Sequence, residues 1–191
     1  MRKSLKRALM ESYDSSAFTY DRLYGEEQEA KHLRGIWMMP SIEDAIVLDA
    51  GCGSGLLIEK LADTAGLIVG LDFSKAMLRI ARDKFKQRNV ALVRGDVEKL
   101  PFRDDVFDRV FMFTVLQNTP DPSAALKEAY RVLRGSGYLA VSFLKKSFAK
   151  TYAERLLDFC GFEKMRYSGR GVMDHIYVCS KKSFYSVSRR E

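Results

Sequence analysis

Short apolar runs alternate with segments of helical periodicity along most of this chain. Runs bounded by glycine or polar residues are typical of buried strands. Between them, apolar residues recur at helical spacing, as Met77, Ala81 and Phe85 do at i, i+4 and i+8. Seven strands are predicted: Ile46–Leu48, Leu67–Val69, Val90–Val93, Val106–Phe113, Tyr138–Phe143, Glu163–Tyr167 and His175–Cys179. These strands alternate with helices that begin near residues 55, 74, 121 and 148. This alternation predicts an α/β fold, in which a mostly parallel seven-stranded sheet has helices on both faces.

The first 40 residues follow a different, purely helical pattern. One helix is predicted over 1–12 and a second from about Glu26 to Trp37, with Gly25 as a break between them and Pro40 as the end of the second. We therefore expect one domain in three parts. These parts are an N-terminal helical segment, residues 1–40, an α/β core, residues 45–143, and a C-terminal helix with two strands, residues 144–191.

The charge of the chain is concentrated near its C-terminus. The 191 residues carry a formal net charge of +7. Residues 35–144 hold 14 basic and 14 acidic side chains, whereas residues 145–191 hold 11 basic and five acidic ones. A basic face there could bind nucleic acid, an acidic protein or a membrane surface, or could simply be a solvated tail.

Several classes of protein do not fit this sequence. The three cysteines are widely spaced and form no C-x-x-C pair, so we expect neither a disulfide framework nor a metal site. No apolar run approaches the roughly 18 residues that a membrane span needs, and the basic N-terminus has no continuous apolar stretch of the kind that a signal peptide requires. The expectation is a cytoplasmic protein with reduced thiols and no membrane association.

The segment VLDAGCGSG, Val47 to Gly55, carries the first chemical signal. A buried strand ends at Asp49, glycines follow at 51, 53 and 55, and a helix begins. Glycines allow the backbone to approach a ligand closely, and the helix N-terminus offers free N–H groups. Asp72 comes 21 positions after Gly51, a spacing suited to binding ribose hydroxyls. Leu56 stands where the dinucleotide fingerprint needs Gly or Ala, so a dinucleotide enzyme is disfavoured.

Five segments in order resemble the motifs of the class I S-adenosylmethionine-dependent methyltransferases. They are VLDAGCGSG, GLDFS (70–74), GDVEKLPF (95–102), FDRVFMFTVLQNTPDP (107–122) and LKEAYRVLRGSGYLAV (126–141). The resemblance covers about residues 45–143. It implies a Rossmann-like, doubly wound sheet and S-adenosyl-L-methionine as the cofactor. The segment YDSSAFTYDRLYG resembles the family's N-terminal lid, in which a tyrosine closes over the cofactor.

The resemblance also implies roles for individual residues. Asp49 and the glycine loop would hold the methionine part of the cofactor, Asp72 the ribose, and Asp96 and Val97 the adenine. The complete set expected at the cofactor is Tyr13, Tyr20, Asp49, Gly51, Cys52, Gly53, Gly55, Asp72, Phe73, Met77, Asp96, Val97 and Thr114. The candidates for catalysis are Tyr20, Gln117 and Asn118. His32 and His175, the only two histidines, are expected to be structural or exposed.

The sequence departs from the family pattern at informative places. Many relatives carry a histidine where this chain has Gln117-Asn118, so an imidazole base is missing there. The Asn/Asp-Pro-Pro-Tyr motif of amino-group methyltransferases is absent, and so is the Pro-Cys nucleophile of cytosine C5 methylation. A missing base does not imply an inactive enzyme, because a sulfonium methyl is already activated and the acceptor mainly has to be aligned with it.

The acceptor is less well determined than the cofactor. The chain has no long insertion after its fifth strand, which predicts an open site. An open site beside a basic segment favours RNA or protein as the acceptor, with Tyr167 available for base stacking. The basic residues concerned are Lys145, Lys146, Lys150, Lys164, Arg166 and Arg170. Two alternatives stay open: a small-molecule methyltransferase with a closed apolar pocket under the N-terminal helices, and a cofactor-binding partner subunit that catalyses nothing.

Overall fold

The computed structural model describes residues 2–86 and 89–182. One sheet contains seven strands in the order β3-β2-β1-β4-β5-β7-β6. The strands are β1 (Ile46–Ala50), β2 (Leu67–Asp72), β3 (Val90–Arg94), β4 (Phe107–Met112), β5 (Leu133–Leu144), β6 (Phe162–Ser168) and β7 (Asp174–Lys181). The first five pair in parallel, and β7 runs antiparallel to both β5 and β6. The predicted mostly parallel, Rossmann-like sheet is confirmed.

Five α-helices surround this sheet in the described part of the chain. They are α1 (Arg2–Met38), α2 (Leu56–Leu61), α3 (Lys75–Lys84), α4 (Pro122–Val132) and α5 (Lys150–Phe159). Buried residues of α2 and α3 pack with one face of the sheet, and buried residues of α4 and α5 pack with the other. The sheet is therefore covered on both sides, as parallel strands with continuous apolar runs require.

The N-terminal segment differs from its prediction, because α1 is one helix of 37 residues instead of two. Gly25 lies inside it without breaking it. A glycine in a helix costs only about 1 kcal/mol relative to alanine. Contacts on both sides of Gly25 offset that cost, since Asp21 bonds Ser54 and Lys84, and Gln28 bonds Thr114.

Helix α1 crosses the edge of the sheet at which the parallel strands end. Lys6 pairs with Asp96 just after β3, and Asp14 bonds Ser74 just after β2. Further along the helix, Lys31 pairs with Asp174, where antiparallel β7 begins at the same edge. Open parallel sheets bind ligands beyond the carboxyl ends of their strands, so α1 forms a roof over the place where a ligand is expected.

Two further findings concern the chain as a whole. In the part that the structure describes, no helix is long and apolar enough to cross a membrane. The last residues of the predicted C-terminal part and of its basic segment, 183–191, lie outside the described residues.

Candidate functional site

The loop after β1 is shaped by three glycines in left-handed conformations. Gly51 has φ 89°, Gly53 has φ 52° and Gly55 has φ 88°. A Cβ at Gly51 would clash with Cγ2 of Val115, so the side chain of Val115 packs directly on the backbone of this loop. A Cβ at Gly53 would meet no atom of the described residues within 4 Å. The loop therefore packs tightly on one side and leaves open space on the other.

Asp72 ties this loop to the end of β2. Its carboxylate accepts hydrogen bonds from the backbone N–H of Gly53 at 2.9 Å and of Ser74 at 2.8 Å. The side chain is buried, and burial raises its pKa even though these bonds oppose the rise. Asp72 thus connects the glycine loop to the start of α3 and places an acidic group between them.

Asp49 is a buried carboxyl group that forms no ion pair with the residues the structure describes. It is 3% exposed, and its Oδ2 has no hydrogen-bond partner among the residues that the structure describes. Burial, together with the nearby charge of Asp72, raises the pKa of Asp49 to about 8. A buried, unpaired acid of this kind is typical of a site that receives a cation or a hydrogen-bond donor.

The far end of the site lies between β3 and α1. Asp96 Oδ2 is 2.5 Å from Nζ of Lys6, which also lies 2.7 Å from Oε2 of Glu98. Phe73 meets Tyr13 edge-on, with 5.9 Å between ring centroids. The expected adenine partner Asp96 is thus engaged by a lysine of the roof helix, an interaction that the sequence did not indicate.

The tyrosines of α1 differ in their contacts. The Tyr13 hydroxyl accepts a hydrogen bond from Nδ2 of Asn118 at 2.8 Å. Burial raises the pKa of Tyr13 to about 12 and raises that of Tyr20 as well, so both phenols stay protonated. Tyr24, also a lid candidate, is 46% exposed and packs on Tyr20.

A buried polar network fixes the end of β4. Thr114 has φ 60°, a conformation that a β-branched residue rarely adopts. Its backbone N–H donates to Oγ of Ser142, and its hydroxyl accepts from Nζ of Lys31 at 3.0 Å and donates to Oε1 of Gln28 at 2.8 Å. Lys31 Nζ also lies 2.9 Å from Oδ2 of Asp174. The roof helix is therefore bonded directly to the strand end below it.

These parts enclose a cavity of about 500 Å³ beneath α1. Twelve of the thirteen residues expected at the cofactor line it, and so does Asn118: the twelve are Tyr13, Tyr20, Asp49, Gly51, Cys52, Gly53, Asp72, Phe73, Met77, Asp96, Val97 and Thr114. Gly55 does not line the cavity, because its α-carbon faces Phe85, whose ring a Cβ would meet at 2.5 Å. Gln117 is also outside the lining. It lies in the 3-10 turn Leu116–Asn118, where successive side chains point in different directions.

Several lining residues were not expected from the sequence. They are mostly on α1 and at the end of β4, and include Lys6, Met10, Gln28, His32 and Phe113. The available signal was a stripe at helical spacing that continues past Gly25, from Tyr13 through Ala17 and Tyr20 to Gln28 and His32. Treating Gly25 as a helix break hid that stripe.

Residues 48–141 match the family model described as a methyltransferase domain. The chain is 36% identical over 135 residues to the demethylmenaquinone methyltransferase of Lactiplantibacillus plantarum, an alignment that covers 64% of this chain and 56% of that protein. It is 34% identical over 145 residues to the demethylmenaquinone methyltransferase of Staphylococcus aureus, covering 71% and 59%. The chain therefore spans less than two thirds of the length of these relatives.

The fold is also found in solved structures. A chain in the complex of the Haloferax volcanii Trm112 methyltransferase activator with a methyltransferase aligns with a TM-score of 0.78 at 20% identity, over 90% of this chain and 98% of that one. An S-adenosylmethionine-dependent methyltransferase of Thermotoga maritima aligns with a TM-score of 0.75 at 21% identity, over 91% and 100%. At these identities the likeness concerns the fold.

Proposed function

We propose that this chain, whose residues 48–141 match a methyltransferase domain, transfers a methyl group from S-adenosylmethionine to a small organic acceptor held beneath α1. The cavity under the roof helix is the observation that carries this proposal. An acceptor buried there is shielded from water and aligned by fixed side chains, which is what methyl transfer needs from the protein.

The residues of the site fit the cofactor of this family. Asp49 offers an unpaired, buried oxygen to the ammonium group of the methionine part. The space next to Gly53 is free of protein atoms, and Asp72 lies beside it with two charged oxygens. The bound cofactor supplies a methyl group on a positively charged sulfur. The protein positions that group and excludes water.

Cofactor binding at pH 7 is expected to release close to one proton. The pKa of Asp49 is about 8, so this carboxyl group is mostly protonated at pH 7. Pairing with an ammonium group favours the charged form and lowers that pKa, and the proton then leaves. Calorimetric titration with S-adenosylhomocysteine in two buffers of different ionisation enthalpy measures the release, which should vanish above about pH 9.

Asp49→Asn is the control for this prediction, because the amide keeps the shape and cannot ionise. The variant should bind with the same heat in both buffers after correction for dilution. Equal proton release by the variant and the unchanged protein would contradict the role of Asp49.

The basic C-terminal face is less available to a polyanion than the sequence suggested. Lys164 pairs with Asp158, and Lys150 lies over the ring of Tyr167 at 4.3 Å. Lys145 donates to the carbonyls of Gly169 and Val172, while Arg166 donates to that of Met38. These intramolecular contacts, together with the roofed cavity, favour a small acceptor over the RNA or protein acceptor predicted from charge.

The relatives named for demethylmenaquinone suggest what this acceptor is. Demethylmenaquinone, once reduced, is a flat ring system bearing hydroxyl groups. We propose an acceptor of that kind, a planar hydroxylated ring. The aromatic side chains of Phe73 and Phe113 in the cavity wall suit a flat apolar molecule.

Incubation with a methyl-labelled donor and a fractionated cell extract tests the acceptor class. We expect the label in the fraction extracted by organic solvent. Label in purified RNA or in protein would overturn the small acceptor and support the prediction made from the basic segment. A protein that binds S-adenosylhomocysteine but labels no fraction would instead be the non-catalytic cofactor-binding subunit.

A further inference from the structure

His32 of α1 is a polar residue of the cavity wall that the cofactor does not explain. It lines the cavity and is 6% exposed. Its Nδ1 is buried without a hydrogen-bond partner among the residues that the structure describes. Buried polar atoms are normally satisfied, so an unpaired one in a ligand cavity indicates a group that a ligand will bond.

The neighbours of His32 on the same helix are all engaged. Gln28 accepts from the hydroxyl of Thr114, and Lys31 contacts both Thr114 and Asp174. One residue further along α1, the imidazole packs beside Phe113, with 5.5 Å between the ring centroids. The polar network of Gln28 and Lys31 therefore does not extend to Nδ1 of His32, for which the described residues supply no partner.

His32 also lies on a different wall from the two acids and the glycine loop expected at the cofactor. Asp49, Gly53 and Asp72 come from the loops after β1 and β2, whereas His32 comes from α1 and packs on Phe113 at the end of β4. The cavity thus has a loop wall with acids for a cation and ribose, and an α1–β4 wall with an aromatic ring and a neutral nitrogen.

We propose that His32 binds the methyl acceptor by accepting a hydrogen bond from its hydroxyl group, while Phe113 packs beside the acceptor's ring. This assignment rests on the proposed function and names the group that recognises its substrate. Burial, with the charges of Lys31 and Lys60, lowers the pKa of His32 to about 3. The imidazole is therefore uncharged at neutral pH and presents a lone pair to a hydroxyl donor.

A pair of probes isolates this hydrogen bond: 2-naphthol, which has the hydroxyl, and naphthalene, which lacks it. Both are titrated into protein saturated with S-adenosylhomocysteine. His32→Phe keeps a flat ring but removes the lone pair. We expect this variant to bind 2-naphthol about tenfold more weakly, the loss typical of a buried hydrogen bond, and naphthalene and S-adenosylhomocysteine as before. His32→Asn, which retains an acceptor oxygen, should recover part of the loss.

Nuclear magnetic resonance gives a readout that does not depend on turnover. The chain has two histidines, and His175 bonds the hydroxyl of Tyr167 away from the cavity. Adding 2-naphthol should shift the imidazole nitrogen signals of His32 and leave those of His175 in place. His175→Phe is the matched control and should bind both probes like the unchanged protein.

Three results would overturn the proposal. One is no binding of 2-naphthol by the unchanged, cofactor-loaded protein. Another is equal affinity for 2-naphthol in the unchanged protein and His32→Phe. The third is a loss of S-adenosylhomocysteine affinity in His32→Phe, which would assign His32 to the cofactor. Absence of methyl transfer to every extract fraction would instead refute the proposed function, whatever the two probes show.

Discussion

Replacing Lys31 with methionine is expected to lower the free energy of unfolding by about 3–5 kcal/mol, the usual cost of leaving a buried charge without its partner. Lys31 is 1% exposed and Asp174 is fully buried. Nζ of Lys31 lies 2.9 Å from Oδ2 of Asp174, but the two atoms are not aligned for a hydrogen bond. Electrostatic attraction between the two charges therefore stabilises this contact. Methionine fills the same space and leaves the carboxylate alone in the interior.

Urea unfolding curves measure this effect, with the slope compared to verify that both proteins unfold in the same way. The double variant Lys31→Met with Asp174→Asn should recover much of the loss, because no buried charge is then left unpaired. Lys164→Met is the surface control. This variant removes the ion pair between Lys164 and Asp158, whose side chains are 30% and 47% exposed. It should lower the free energy of unfolding by less than about 1 kcal/mol. Equal costs for Lys31→Met and Lys164→Met would refute the structural role of the buried pair.

Asp72→Asn is expected to weaken S-adenosylhomocysteine binding about 100-fold. The carboxylate accepts from two backbone N–H groups, those of Gly53 and Ser74. An asparagine side chain has one acceptor oxygen, so its amide N–H₂ must face one of these donors and the loop shifts. The variant also loses a charged acceptor for the ribose. Hydrogen bonds to charged groups contribute about 1.5–3 kcal/mol, and about 2.7 kcal/mol corresponds to a factor of 100.

Calorimetric titration with S-adenosylhomocysteine measures this affinity. Asp158→Asn, at a carboxylate far from the cavity, should bind like the unchanged protein. The unfolding midpoint of Asp72→Asn without ligand shows whether the fold survives. A reduction in affinity of less than about threefold in the folded variant would contradict the assignment of Asp72 to the cofactor.

The residues expected at the cofactor could be brought together from the sequence because their signals are local. Asp49, the glycine loop and Asp72 lie within a span of 24 residues, and each stands at a strand end where a turn is unavoidable. The match of residues 48–141 to a methyltransferase domain agrees with the predicted resemblance to the class I methyltransferases. Two residues were placed less well. Gly55 packs on Phe85, and Gln117 is turned away by the short 3-10 turn, because side-chain direction inside a turn depends on its exact type.

The position of α1 over the site could not be predicted in the same way, because it depends on contacts between distant segments. Lys31 and Asp174 are 143 positions apart, and Lys6 and Asp96 are 90 apart. A charged residue at a helical position gives the same sequence pattern whether it faces solvent or a buried partner. The same holds in the basic segment, where Lys145, Lys164 and Arg166 bond other residues of their own chain.

The sequence by itself determined the alternation of strands and helices and the glycine loop with its two acids, and its resemblance to the class I methyltransferases implied the cofactor. The alternation and the loop follow from periodicity and turn chemistry, which act over a few residues. Only the tertiary structure decided that residues 2–38 form one helix, that this helix covers the strand ends, and that His32 lines the cavity with an Nδ1 that the described residues do not bond. A helix that is longer than the strands it crosses is held in place by packing against many loops at once. Its position therefore depends on where the folded sheet places those loops.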